Sequence, residues 1–335
     1  MKTPRYKPED YNSKKVLITG GLGFIGSNIA NELVKLRAHV TIVDSLHPRY
    51  GGNWFNINSI QDKVAVVIGD IRDEKLMDEM VRGMDVIFNL AAQVSYIDSS
   101  SIPFEDLDVN GKGQLVVLEA CRKNNRNACV VFSSSRLVLG KIIENPVTEM
   151  HPTNPLSLYG VHKLAAEKYH LMYFKDYGIP TVVLRLANPY GERQQMKHSK
   201  YSLPGWFMRL AMEGREISIF GDGTMLRDYV HVSDLVDAFL RAGVTEEAYG
   251  EVFNCGFGRS YQFKDMVTAV VDTVAKGTIR YVPWPDKYEH IETGDFRTDI
   301  SKLSTITGWQ PVVPLEEGVK RMFEYYTAHR ADYQF

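Results

Sequence analysis

Residues 15–44 constrain the fold of this chain more than any other stretch. The apolar run Val16-Leu17-Ile18 is stopped by Gly20-Gly21-Leu22-Gly23-Phe24-Ile25-Gly26, after which Ile29, Leu33 and Leu36 recur at helical spacing. A second apolar run, 40–43, ends in Asp44, eighteen residues beyond Gly26. Strand, glycine turn, helix and second strand make a βαβ unit of the kind that binds a dinucleotide. Gly21 and Gly23 let the turn close and the backbone approach a pyrophosphate, Gly26 lets the helix pack on its strand, and the free N–H groups of the helix start face the phosphates. Asp44 is placed to accept both hydroxyls of an adenosine ribose and to repel a 2′-phosphate, which favours NAD over NADP. The spacing therefore puts cofactor contacts at Gly20, Gly23, Phe24, Ile25, Gly26 and Asp44. Arg49, beyond His47-Pro48, reads as a solvated charge.

The alternation continues. Apolar strands are expected at 64–68, 85–90, 128–132 and 181–186, with helical patterns at 73–82 and 104–124 between them. Strands spaced by helices predict an α/β fold, a doubly wound parallel sheet covered on both faces, with ligands at the carboxyl ends of the strands. Three of those ends carry informative residues: the glycine turn, Ala91-Ala92-Gln93 and Ser133-Ser134-Ser135. Asp70 and Ile71, at a fourth, are placed to cover an adenine. Residues 1–13, with two prolines and little apolar content, read as a tail. The expected organisation is a Rossmann domain at 14–186 and a smaller α/β substrate lobe at 187–335, from which 221–255 returns to the first domain.

Tyr159 and Lys163 sit four apart on a helix that starts near Ser157, so both can point into one cleft. A phenol with a pKa near 10 works as a base near neutrality only if that value falls by several units. Burial alone raises it, so a close positive charge must win: Lys163, aided by an oxidised nicotinamide. An ordinary surface pair is the alternative. The proline-bearing loop 140–155 brings this helix back beside the serine run, where one hydroxyl can face the phenol across a small gap.

Composition removes other classes. The 335 residues carry a net charge of -2 and no long Lys/Arg block, which argues against nucleic acid. Cys121, Cys129 and Cys255 lie far apart without a C-x-x-C, so neither a disulfide framework nor a metal site is expected, in keeping with a reducing cytoplasm. The N-terminus has no apolar leader core, and no run approaches eighteen apolar residues; neither export nor a membrane span is expected.

Taken together, TGGLGFIG at 19–26, Asp44, GDI at 69–71, NLAAQ at 89–93, VN at 109–110, FSSS at 132–135, YGVHK at 159–163, LRLANPYG at 184–191 and FGDGTMLRDYVHVSDL at 220–235 resemble the extended short-chain dehydrogenase/reductases, specifically the NAD-dependent nucleotide-sugar epimerases and dehydratases. The resemblance spans nearly the whole chain. It implies that Ser135 is the serine that hydrogen-bonds the reacting hydroxyl, Tyr159 its base, and Lys163 the residue that holds the nicotinamide ribose. It adds Leu90, Ala91, Ala92, Gln93 and Asn110 to the cofactor site. It implies that Asn188 and Arg227 contact a nucleoside-diphosphate sugar, a UDP-sugar being favoured, that Phe220 belongs to the base-covering segment 204–220, and that helices 104–124 and 157–177 pair two copies into a homodimer. An Arg227-Asp228 surface contact is the plain alternative for that arginine.

Two departures matter. Where many members carry a second diphosphate-gripping arginine, this chain has Glu292, so either a donor such as Arg193 or Arg297 joins Arg227 or the diphosphate lies differently. Relatives that remove water across the 4,6 positions carry an Asp-Glu pair directly after the catalytic serine; here those positions are Arg136 and Leu137. Without that pair, what remains suffices for reversible oxidation of one hydroxyl. The expected activity is therefore epimerisation at C4 through a 4-keto sugar. The rivals are a nucleotide-sugar keto-reductase or dehydrogenase, less favourably a 4,6-dehydratase, and a non-enzymatic NAD sensor or scaffold. Arg136 either reads a carboxylate or other polar group on the sugar or makes a salt bridge within its loop.

Overall fold

The structure, a computed structural model, describes residues 7–200, 203–285 and 291–333. Seven strands, β1 (Lys15–Thr19), β2 (His39–Asp44), β3 (Val64–Ile68), β4 (Val86–Asn89), β5 (Cys129–Ser135), β6 (Thr181–Leu186) and β10 (Glu251–Cys255), form one parallel sheet in the order β3-β2-β1-β4-β5-β6-β10. The order reverses between β1 and β4, so their carboxyl ends part into a crevice. Both faces are covered. Helices α1 (Phe24–Lys35) and α7 (Val232–Val244) pack together on one side; on the other α4 (Gly113–Asn124) lies between α2 (Glu74–Met80) and α5 (Leu158–Tyr177). This is why β4 and β6 are buried along their whole length and read as unbroken runs rather than alternating ones.

The charged residue in β6 is Arg185. It makes a two-pronged pair with Glu167 of α5, whose carboxylate also accepts the Ser134 hydroxyl at 2.5 Å. The charges are almost wholly buried, so each must be matched, and together they pin α5 to β5 and β6.

The expected helix at 104–124 is divided. The segment α3 (Pro103–Leu107) passes through a wide π turn at Asp108–Lys112 before α4 begins. The extra residue in that turn accompanies an inward Asn110, which donates to the Gln93 carbonyl at 2.8 Å. The reading of residues 1–13 as a tail needs correction over its described part. Tyr11 is fully buried, donates to the Leu240 carbonyl at 2.8 Å and packs on Phe88; its ring belongs to the core under β4 and α7.

The second core is smaller. Strands β7 (Asn188–Tyr190), β9 (Leu226–His231) and β11 (Ser260–Gln262) form a three-stranded sheet, and β8 (Glu216–Phe220) pairs with β12 (Thr278–Val282). Helices α6 (Leu203–Met212), α8 (Phe263–Val274) and α10 (Leu315–Ala328) close over them, burying Met208, Ile217, Ile219, Met266 and Met322. A further short helix, α9 (Ser301–Thr307), returns to the first core through Leu303. From β9 the chain crosses back to the large sheet as α7 and β10, whereas β9 itself stays in the small one.

Candidate functional site

A cavity of about 670 Å³ runs from the glycine turn, past the ends of β4 and β5, to β8 and β9. Its near wall is built by close approach. A side-chain carbon on Gly26 would press into the Gly20 carbonyl oxygen and the Gly21 Cα, so α1 starts against the turn itself rather than merely on its strand. Gly23 caps α1 in an extended conformation, leaving the first helical N–H groups facing the cavity. Asp44 ends β2 at the rim, taking the Leu22 N–H at 3.0 Å and the Leu46 N–H at 2.8 Å. Burial raises its pKa and those two donors hold it back. Phe24, Ile25, Asp70, Ile71, Leu90, Ala91 and Ala92 line the same half of the cavity. Asp70 is tied by two bonds to the Arg72 guanidinium.

The three serines at the end of β5 separate by direction. The Ser133 carbonyl accepts the Lys163 ammonium at 2.9 Å, the Ser134 hydroxyl turns inward to Glu167, and the Ser135 hydroxyl, which accepts the Leu137 N–H, lines the cavity together with Tyr159. Helix α5 starts at Ser157, whose hydroxyl accepts the Gly160 N–H at 3.2 Å. A Cβ on Gly160 would lie 2.6 Å from the Leu137 carbonyl, so glycine there lets α5 abut the serine turn. Ser135, Tyr159 and Lys163 thus meet in one wall.

Burial dominates their electrostatics. It pushes the Tyr159 phenol well above its ordinary value, with the nearby Ser135 hydroxyl pulling the other way and Asp106 adding to the rise. It also brings the Lys163 ammonium down to about 8, against Asp106 and Glu167. The ammonium lies 6.0 Å from the centre of the Tyr159 ring. In the absence of a ligand, burial outweighs the groups that favour the phenolate.

Several expected residues lie elsewhere. Gln93 and Asn110 do not line the cavity: both turn into a buried polar cluster around Asp106, which accepts from Gln93 at 2.6 Å and Asn110 at 3.2 Å and meets the His162 ring at 2.5 Å. A fully buried carboxylate draws every donor in reach, and that takes these two amides from the cofactor side. Arg193 is also withdrawn. Its guanidinium holds the Asn56 carbonyl at 3.0 Å and Asn28 at 2.7 Å and lies over Tyr325. Arg297 is exposed outside the cavity.

The far half holds Arg136, Asn188, Phe220, Arg227 and Glu292. Arg227 is buried and makes no surface pair with Asp228, whose carboxylate instead takes the N–H groups of Phe257, Gly258 and Thr298. It meets Glu292 at 2.5 Å, and Glu292 also accepts the Gly294 N–H. The misfit carboxylate thus has a cationic partner. Sequence reasoning missed Trp284, which faces Phe220 at 5.6 Å between ring centres and closes an aromatic cleft at the cavity end. Its signal was slight: a tryptophan directly after Val282-Pro283, at a strand end.

The residues fit a nicotinamide dinucleotide, because Gly20 and Gly26 let the turn, the start of α1 and the backbone of Ala91 close to distances that a Cβ would forbid, which leaves bare backbone at the cavity wall, and Asp44 ends β2 at the same rim. Among the described residues no cluster could hold a metal ion, and no helix is long and apolar enough to cross a membrane.

Fold and site together define a dinucleotide-binding enzyme of the Ser-Tyr-Lys type. Residues 16–256 match the NAD dependent epimerase/dehydratase family, and the chain belongs to it. The UDP-glucose 4-epimerase of Mycolicibacterium smegmatis is 34% identical over 318 residues, covering 93% of this chain and 98% of that one. The Thermotoga maritima UDP-glucose 4-epimerase, solved with UDP-glucose, superposes with a TM-score of 0.86 at 32% identity, over 94% of this chain and 99% of that one. The dTDP-glucose 4,6-dehydratase of Bacillus anthracis, solved with NAD, superposes at 0.83 with 28% identity, over 96% and 98%. The cofactor is NAD.

Proposed function

We propose that the protein is a nucleotide-diphosphate-sugar epimerase that inverts C4, with a UDP-sugar as the favoured substrate. The observation that carries this reading is the constellation at the end of β5: Ser135, Tyr159 and Lys163 in one cavity wall, and Arg136 and Leu137 where a dehydratase's acid pair would stand. NAD, which the glycine turn and Asp44 would hold, would supply the acceptor and donor of the hydride. Ser135 orients the hydroxyl, and the Tyr159 oxygen receives its proton at the start and returns it at the end. Lys163 supplies a positive charge next to the phenolate that forms. Proton and reducing equivalents both return to the sugar, so the cofactor is not consumed. Phe220 and Trp284 cover the base, while Arg227 and Asn188 face the diphosphate.

The reading includes a homodimer in the cytoplasm. Phe104 is 81% exposed, and Leu107, Val161 and Met172 lie open on the adjoining faces of α3 and α5; 161 and 172 share one side of α5. A second copy covers this patch, and Phe104→Glu should yield monomers in sedimentation.

The test is turnover. NAD-loaded protein is incubated with a panel of nucleotide sugars while absorbance at 340 nm and product stereochemistry are followed together. The C4 epimer without net NADH is expected. Stoichiometric NADH change would assign a dehydrogenase or reductase instead.

A further inference from the structure

Arg136 follows Ser135 directly, and its guanidinium lies in the cavity wall between the reacting end and Arg227. Its Nη1 donates to the Thr293 hydroxyl at 2.8 Å, its Nε reaches the Asn188 side-chain oxygen at 3.3 Å, and its plane lies over Phe296 with 5.2 Å to the ring centre. All three partners are neutral. The salt bridge within its loop that the sequence left open does not form: no carboxylate among the described residues lies in ion-pair contact with it. Glu292, the acidic group whose field reaches it, is held by Arg227 and by the Gly294 N–H.

The group is a cation nonetheless. Burial, and then Arg227, pull its pKa down only to about 10. This part of the wall therefore carries two guanidiniums and one carboxylate, an excess of one positive charge beside a half-buried Arg136 that faces the cavity, which favours an anion there. Arg136 Nη2 has no hydrogen-bond partner among the described residues. Thr293 and Phe296 hold the plane in place, so a ligand would find it preorganised.

We propose that Arg136 selects an acidic sugar, one whose carboxylate sits on the ring carbon next to the carbon being oxidised. The inference rests on the nucleotide-sugar reading above. Ser135 hydrogen-bonds the oxygen at C4, and the residue beside it is placed for a substituent on the neighbouring C5, as in a hexuronic acid. A planar fork meeting a carboxylate in a half-buried wall discriminates between sugars, since a neutral hydroxymethyl group in the same place leaves the cation without an ionic partner.

The experiment measures binding, so that it does not depend on turnover. NAD-loaded protein is titrated by calorimetry with UDP, UDP-glucose, UDP-galactose, UDP-glucuronate and UDP-galacturonate, as wild type and as Arg136→Gln; Arg136→Lys, which keeps the charge, guards against a folding defect. Wild type should bind the uronates at least about tenfold more tightly than their neutral counterparts. In Arg136→Gln that ratio should fall to about one or below, with Arg136→Lys in between. A ratio near one in wild type, or one that Arg136→Gln leaves intact, overturns the inference while the epimerase reading stands. A uniform loss for all five ligands, UDP included, does the same and gives Arg136 to the diphosphate. Absence of binding by UDP and by every sugar would overturn both readings.

Discussion

Replacing Lys163 by methionine should make the NAD-free protein more stable while abolishing its activity. Lys163 is 2% exposed; its ammonium donates to the Ser133 carbonyl at 2.9 Å and lies 4.8 Å from the centre of the Phe132 ring. Burial brings its pKa from 10.5 to about 8, although Asp106 and Glu167 pull it upward. Each unit is worth about 1.4 kcal/mol, so holding the charge costs the folded state roughly 3 kcal/mol at pH 7. Methionine keeps most of the volume and removes the charge, but leaves the Ser133 carbonyl unpaired, which returns about 1 kcal/mol of penalty. A net gain of about 2 kcal/mol follows, a rise of a few degrees in Tm.

The sign of the pH dependence is a separate check. Between pH 8 and 10.5 the folded wild type binds fewer protons at Lys163 than the unfolded chain, so its stability rises with pH through that window. The advantage of Lys163→Met should therefore be full below pH 8 and gone above about 10.5. Denaturant unfolding of both apo proteins from pH 7 to 10.5, alongside kcat at pH 7, measures this. A variant less stable than wild type at pH 7, or one whose difference does not vary with pH, would refute the reasoning.

Removing Glu167 should do the opposite: Glu167→Leu leaves Arg185 and Ser134 without their buried partner, and a loss of about 3–5 kcal/mol in denaturant unfolding is expected. Gly26→Ala should cost about 1–3 kcal/mol and weaken NAD, since its methyl group meets the Gly20 carbonyl; fluorescence titration reads the second effect. Asp44→Ala should weaken NAD by about tenfold or more and raise the relative affinity for NADP; an unchanged NAD/NADP ratio would remove Asp44 from the ribose site.

Much of this molecule was legible before any coordinates. The run from Val16 to Asp44 contains its own evidence, because strand, turn, helix and strand are local and each is punctuated by residues with few other uses. Tyr159 and Lys163 were equally readable, since helical spacing sets which residues share a cleft. What escaped depends on direction and on distant partners. The run Ser133-Ser134-Ser135 does not say which hydroxyl faces the cavity; Glu167, more than thirty residues on, claims Ser134. Gln93 and Asn110 have the composition of cofactor ligands, but Asp106 draws both inward. Arg193 and Arg297 met the demand for a second phosphate-binding cation on paper, yet one is spent on Asn28 and Asn56 and the other points outward. Tyr11, in a polar and proline-bearing stretch, finds the Leu240 carbonyl 229 residues away, which no local pattern encodes.

The central claim is that one site takes hydrogen from a sugar carbon and returns it to the other face of that same carbon. The most direct measurement uses a nucleotide sugar carrying deuterium at C4, incubated with the NAD-loaded protein in ordinary water, with the epimer examined by mass and by proton NMR. The account predicts full retention of deuterium at C4 of the inverted product, with none in solvent or in free dinucleotide. Loss of the label to solvent would mean that C4 is inverted through a proton, or not at all, and would contradict it.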